Sequence, residues 1–546
     1  MSSQRLLLLA VAWSALALST AGPEPVKAAG VALIAALALI RDPPLLARLA
    51  RSPALLPGAL ALVLASAFAL EPGAALIGSV ARAQGVLVGS STLLLAALAA
   101  GLAVDARQQV YRGVALLGAV IASYVLLQRF GLDPVDWHGA PDGRAMATLG
   151  NANVLGGWLV LSLPLTLMAW RSGGLAWLLS ALVQGLALLA SGTRGAWLAL
   201  LAVALLLPLL DRRRWPALLL VLPLLGGLAV LLATLRPESL QDRAYLWRTA
   251  LQAVREPPAL ADLEGAPDRW ASLRRWTGYG PDQQQPALLA VRADVPGARG
   301  EAAGWSADRA HQAVLDGLLE KGVAGVLAAL ATVLAVAAAL RRALADPRRR
   351  AEARGLALAL AAWALHLQAG FALTGDRTLA WICIGCLLGL AYSPGRAEAA
   401  RGPVVRVAGG ILAGGLLLLA AAATDLVPAA WREPLAPAQS AESAFVRGQA
   451  LYVLAQQRPG SAARDGFAAA AEAFEQAAAL RRYDRDAALA AASARLEQAA
   501  ADPAAAGPAL ARARQWIDAA ERIDPHDPRL APVRARAAGI PAPSPP

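Results

Sequence analysis

Cysteine is nearly absent. The 546-residue chain has two, Cys383 and Cys386 in "WICIGC", so no disulfide framework braces its aqueous regions. Their C-x-x-C spacing is that of redox and metal sites, yet no Lys or His flanks them to lower a thiol pKa. Inside an apolar run they read as small packed hydrophobes. Lysine occurs only as Lys27 and Lys321, and histidine at four positions. There is no Walker loop, no dinucleotide fingerprint and no H-E-x-x-H, so no nucleotide, metal or other cofactor is expected.

Apolar residues are plentiful. They make up 57% of the chain, against roughly 45–50% in soluble domains, which indicates a membrane protein. About thirteen runs approach the ~20 residues that cross a hydrocarbon core as helix. They lie near 5–22, 26–40, 54–70, 86–104, 110–128, 149–170, 174–191, 194–210, 215–235, 311–340, 355–373, 377–393 and 404–424. Period-two alternation is missing, so the spans are helices rather than barrel strands. The fold class is therefore all-α, a polytopic membrane helix bundle of about 12–13 spans.

Arginine orients the bundle. With the N-terminus in the cytoplasm, the inner loops carry eighteen arginines, and the short outer loops carry only Lys27, Arg82, Arg129, Arg144, Arg194 and Arg377. This topology puts a loop of residues 236–310, and everything after about 425, on the outer side. The start "MSSQRLLLLAVAWSALALSTAG" also fits a secretory signal, whose removal would leave the remaining topology unchanged. The net charge of +12 is spread over the inner loops, where insertion and anionic headgroups account for it, so nucleic acid is not an expected partner.

Three regions follow: a membrane body (1–424), a Pro-rich link (425–439) and an Ala-rich helical domain (440–537), before a disordered tail (538–546). "FEQAAALRRYDRD" (474–486) and "IDAAERIDPHDPR" (517–529) align at a separation of 43 residues. Either a tetratricopeptide-like repeat with a Pro-containing insert or a plain helical hairpin produces that echo, and both predict a docking surface.

Several outer-facing residues carry chemistry. His311, after "SADR" with Arg309, enters the tenth span, where a neutral imidazole can accept a proton from a hydroxyl; capping a loop is the plainer role. Arg194 in "LLASGTRGAWLAL" sits in a tight turn between two apolar spans, where an Arg needs an anionic partner, a carboxylate or a phosphate. In "DRAYLWRTAL", Arg243 and Arg248 flank an aromatic anchor on an amphipathic helix; they either snorkel or hold a pyrophosphate bidentately. Asn151 and Asn153 open the sixth span, as helix caps or as a polar notch for a sugar or headgroup. Gly278, Tyr279 and Gly280 form a turn in "WTGYGPD". His366 and Gln368 in "WALHLQAGF" are polar residues within a span, modest candidates for a transport path and otherwise helix-packing groups.

Taken in order, "GNANVLG", "SGTRGAW", "RAYLW", "GYGPD" and "DRAHQAVLDGLLEKGVAGVL" resemble the O-antigen ligase and polymerase superfamily of bacterial multi-pass membrane glycosyltransferases, over about 146–330. The family has Asn after the histidine, and this chain has Gln312. The resemblance implies metal-independent, inverting transfer of a glycan from an undecaprenyl-pyrophosphate carrier to an acceptor hydroxyl at the periplasmic face of the inner membrane. In that reading His311 is the general base, and Arg194 and Arg243 hold the pyrophosphate. Asn151, Asn153, Arg248, Gly278, Tyr279, Gly280 and Arg309 contact substrate. The acceptor is lipopolysaccharide core, another glycan repeat or a protein hydroxyl, and the C-terminal domain is free to recruit a protein partner. A non-catalytic assembly scaffold or lipid transporter is the alternative of another class. Convergence of His311 with the two arginines distinguishes the two.

Overall fold

The computed structural model describes residues 1–18, 23–135, 137, 144–171, 173–206, 237–292, 308–392, 403–424, 426–503 and 506–540. The apolar run at 215–235 lies outside them; each of the other runs contains a helix. Among the described residues the only extended pairing is an isolated bridge between Ala261 and Pro267.

The body begins with α1 (Ser3–Leu16), α2 (Pro23–Arg41), α3 (Leu45–Arg51), α4 (Leu56–Ala67), α5 (Pro72–Ile77), α6 (Val86–Ala100) and α7 (Val104–Arg129). It continues with α8 (Ala152–Trp170), α9 (Leu175–Ala190) and α10 (Arg194–Leu206). An interspan loop carries α11 (Pro237–Arg255), α12 (Arg274–Thr277) and α13 (Gln285–Val291). The body closes with α14 (Ala313–Ala345), α15 (Arg350–His366), α16 (Thr374–Ala391) and α17 (Pro403–Ala423).

Among the described residues, five helices are long and apolar enough to cross a membrane: α2, α7, α8, α14 and α17. They become six if α3 and α4, bent by 92° at their junction, form one broken span. That is fewer than the expected number, and length is one reason. Helices α1, α6 and α9 are apolar but have 14, 15 and 16 residues, short of the ~20 of a straight crossing. The run at 86–104 stops at Gly101, the C-cap of α6. Large apolar side chains remain exposed along α14, Val333 and Leu334 at 61% each among them, a surface compatible with lipid.

Small residues and buried hydrogen bonds hold the bundle. A Cβ added at Gly385 or Gly389 of α16 would meet the Ala96 or Ala100 carbonyl of α6 at 2.2 and 2.6 Å. This small-xxx-small spacing lets two backbones touch. Cys383 and Cys386 are free and fully buried on that helix, as packed hydrophobes. Buried Gln184 of α9 donates to Thr166 (2.9 Å) and Ser180 (3.0 Å) and accepts from Ser162 (2.8 Å), while Ser180 donates to the Ala115 carbonyl. Helices α7, α8 and α9 are thereby cross-linked without a charge.

Charged contacts gather at the two ends of the bundle. At one end Arg107 donates to Glu352 (2.7 Å), with the Tyr111 hydroxyl on the same oxygen, and Arg41 reaches the Met1 carbonyl. At the other end buried Lys27 donates to the Thr148 carbonyl (2.8 Å), and Glu24 accepts from the Thr374 backbone (3.0 Å).

The C-terminal region contains α18 (Ala429–Leu435), α19 (Pro437–Gln456), α20 (Gly460–Leu480), α21 (Arg485–Ala501), α22 (Ala506–Ile523) and α23 (Leu530–Gly539). From α19 on, each helix packs against the next. Helix α19 begins at Pro437, within the Pro-rich link, and that link is itself helical through α18. The two echoing stretches meet: Arg485 contacts Asp527 (3.0 Å) and Arg529 contacts Asp486 (2.5 Å), fastening the start of α21 to the turn before α23.

Candidate active site

The site is built on the start of α14. Gln312 is its N-cap: the side-chain oxygen accepts from Leu315 N–H (2.6 Å), and the amide donates to Gln368 (2.8 Å). Gln312 thus caps α14 and tethers it to the segment after α15. His311 has φ 55°, a left-handed conformation that costs a non-glycine residue roughly 1–3 kcal/mol and persists only where neighbours enforce it. Buried Asp316 does so. Its carboxylate accepts from the backbone N–H groups on both sides of His311, Ala310 (2.8 Å) and Gln312 (3.2 Å), and from Gln284 (3.1 Å).

The imidazole is one-fifth exposed and stands edge-on to Phe371, with ring centres 5.0 Å apart. Its Nε2 is 3.9 Å from Asp308. Arg82 Nε donates to the same carboxylate (2.5 Å), and its guanidinium lies 4.4 Å from the Phe371 ring centre. Burial pulls the His311 pKa down; Asp308 opposes this, Arg82, Arg309 and Arg243 add to it, and the value falls to about 3. The ring is therefore neutral at pH 7 and, with no anion beside it, a weak base.

Arg309 is placed differently from the substrate-contacting role expected of it. It is buried and donates to Asp282 (2.8 Å), which also accepts from the Ser79 backbone and hydroxyl. Burial disfavours its charge, but Asp282 and Glu320 outweigh that and raise its pKa. Arg309 thus anchors the His311 loop.

Arg194 begins α10, directly after a turn in which Gly192 has φ 65°. The Thr193 hydroxyl donates to the Ala152 carbonyl (2.8 Å), which seats this turn on the start of α8. A methyl at Gly192 would lie 3.2 Å from the Arg144 side chain, so Arg144 lies over the turn. Arg243 of α11 has its pKa lowered by burial and then by the positive charges of Arg144 and Arg194. Arg243 is thus within reach of the fields of Arg144 and Arg194, and His311 of that of Arg243.

The remaining expected residues have structural positions. Asn151 caps α8 by accepting from Asn153 N–H (2.8 Å), and the Asn153 carbonyl contacts Nε2 of buried His366 (3.0 Å). His366 also faces Gly157 and Gly195, so it is a packing polar that joins α15 to the α8 and α10 starts. Arg248 is exposed and donates to Ala244 within its own helix. The "GYG" turn braces α14 at a kink where Gly322 has φ 61°. Tyr279 and Gly280 donate backbone N–H bonds to the Leu319 (2.7 Å) and Glu320 (3.0 Å) carbonyls. A Cβ at Gly278 would stand 2.4 Å from that backbone, and the Tyr279 side chain is buried.

Arg82, Asp308, Asp282, Asp316, Phe371 and Arg144 were not among the expected site residues. Arg82 had a signal: a lone Arg in a short loop between apolar runs, the argument used for Arg194. Phe371 had none. Among the described residues no group of three His, Cys, Asp or Glu side chains could hold a metal. Comparison with family models and with curated proteins finds no match to this chain.

Proposed function

We propose that this chain is an O-antigen-ligase-like enzyme of the bacterial inner membrane. It transfers a glycan from an undecaprenyl-pyrophosphate carrier to an acceptor hydroxyl on the periplasmic side. The arginine asymmetry and the lipid-compatible helices favour that orientation, with the interspan loop and the tetratricopeptide-like tail outside. The observation that carries the reading is the meeting of a neutral, geometrically constrained His311 with the positive cluster of Arg144, Arg194 and Arg243.

In this mechanism the diphosphate of the donor lies against the arginines, which bind it as forked donors. His311 removes the acceptor hydroxyl proton as its oxygen attacks C1 of the glycan. The bond from C1 to the pyrophosphate oxygen breaks, and undecaprenyl pyrophosphate departs with the electron pair, stabilised by the guanidiniums. Single displacement inverts the anomeric centre. Lipid core, a second glycan repeat and a protein hydroxyl are the acceptors consistent with this chemistry.

The test is complementation of a deletion strain with wild type or His311→Ala, with lipid-linked donor, glycolipid and glycoprotein resolved on gels. The mutant is expected to reach the membrane and accumulate donor. Undiminished transfer by the mutant would remove the base assignment.

A further inference from the structure

The tail is docked onto the interspan loop and α5, next to the site. The Glu71 carboxylate accepts from Arg481 Nε (3.0 Å) and Arg482 N–H (2.7 Å), while Gln283 grips the Glu71 backbone by donating to its carbonyl (2.7 Å) and accepting from its N–H (2.8 Å). Leu263 N–H donates to the Arg482 carbonyl (2.8 Å). Two cavities lie along this seam, of about 620 and about 150 Å³, with Leu70, Glu71 and Tyr483 as a common wall. The smaller one reaches Asp308, the carboxylate beside His311.

Resting on the glycan-transfer reading, we propose that this two-chamber cleft binds the acceptor, and that the acceptor there is a saccharide chain without anionic groups. Chemistry of the walls selects the class. Sugar hydroxyls donate and accept, and the inner chamber offers carboxylates, the Gln285 amide, the Ser79 hydroxyl and guanidiniums for both roles. The outer chamber adds Tyr483 and Trp270, flat amphipathic rings suited to the apolar face of a sugar. The Trp270 indole N–H has no hydrogen-bond partner.

Charge sets the exclusion. Glu71, Asp282, Asp308, Asp484 and Asp486 line the inner chamber with Arg481 and Arg485. Both guanidiniums are already held by carboxylates, Arg481 by Glu71 and Arg485 by Asp524 and Asp527, so a phosphate or uronate would face carboxylates with no uncommitted cation to receive it. The chamber is smaller than the roughly 300–1,000 Å³ of ordinary ligand pockets. It therefore admits the end of a chain, with the rest lying in the outer chamber, and the entering hydroxyl reaches Asp308, whose carboxylate is 3.9 Å from His311 Nε2.

The experiment uses full-length protein in nanodiscs and saturation-transfer NMR with neutral hexose and N-acetylhexosamine tetrasaccharides, tetragalacturonate and a proline-rich peptide. The expected result is binding of a neutral tetrasaccharide, at least tenfold weaker binding of tetragalacturonate, and at least tenfold loss in Tyr483→Ala. The same loss is expected in Gln285→Trp, which fills the inner chamber and guards against a folding artefact at Tyr483. His311→Ala should bind as wild type does. Equal or better binding of tetragalacturonate, selective binding of the peptide, no binding of either neutral sugar, or indifference to both cleft variants would overturn the proposal. Sugar binding without His311-dependent transfer would sink the transferase reading alone. Transfer with an acceptor KM unchanged in both cleft variants would sink the cleft alone.

Discussion

Arg82 and Arg309 flank the His311 loop, each with a carboxylate in contact, whereas Arg243 sits in the positive field of Arg144 and Arg194. The first set is structural: each guanidinium ties a residue of the 308–312 loop, or is itself one, to a distant part of the chain. In the proposed reaction the second set is the one that meets the donor's diphosphate. The difference teaches that arginine at a membrane surface is informative through what surrounds it, since both sets look alike in sequence.

Removing a member of each set sharpens that contrast. Arg309→Ala leaves buried Asp282 without its cation, a loss of ~3–5 kcal/mol for a broken buried pair, and should appear as a lower melting temperature and less protein in the membrane. Arg194→Ala or Arg243→Ala should leave the protein folded, yet slow transfer ~100- to 1000-fold, the usual effect of losing one preorganised donor. Equal melting losses in both sets would break the distinction.

Asp316→Asn is an intermediate case. It weakens the hydrogen bonds that hold His311 left-handed, about 1.5–3 kcal/mol for bonds to a charged group, so kcat should fall about tenfold or more on that ground while donor binding persists. The smallest effect concerns Tyr279. Its hydroxyl is buried without a partner, and Tyr279→Phe should alter stability by well under ~1 kcal/mol or raise it slightly. A large loss of transfer in that variant would restore Tyr279 to the substrate site.

The pH dependence tests the same comparison. His311 has its pKa lowered to about 3 by burial and by three arginines, so in the empty site its proton is held only in acid. A bound pyrophosphate cancels part of the positive field and raises that pKa. Because kcat/KM reports the free enzyme and kcat the complex, the acid limb of kcat should lie at higher pH than that of kcat/KM. Coincident limbs would show that the arginines and the anion do not act on His311.

Helix positions were legible because uninterrupted apolar runs have one solution in lipid. Crossing lengths were less so, since a glycine such as Gly101 ends a helix inside a run that stays apolar. His311, Arg194 and Arg243 stood out as polar residues at the ends of apolar runs, where burial demands a reason. Asp282 and Asp316 did not, because their work is to hold backbone and guanidinium groups far away in sequence. The "GYG" turn was visible as a turn, but its partner, the α14 kink at Gly322, is a tertiary fact. The docking of the tail through Glu71 was equally invisible, since it joins residues 410 positions apart.

The most direct test of the central claim is binding of undecaprenyl pyrophosphate to the full-length protein in nanodiscs, compared among wild type, Arg243→Ala and His311→Ala. The account predicts binding weakened at least tenfold in Arg243→Ala and unchanged in His311→Ala, since one residue holds the anion and the other moves a proton. Equal binding by wild type and Arg243→Ala would contradict it.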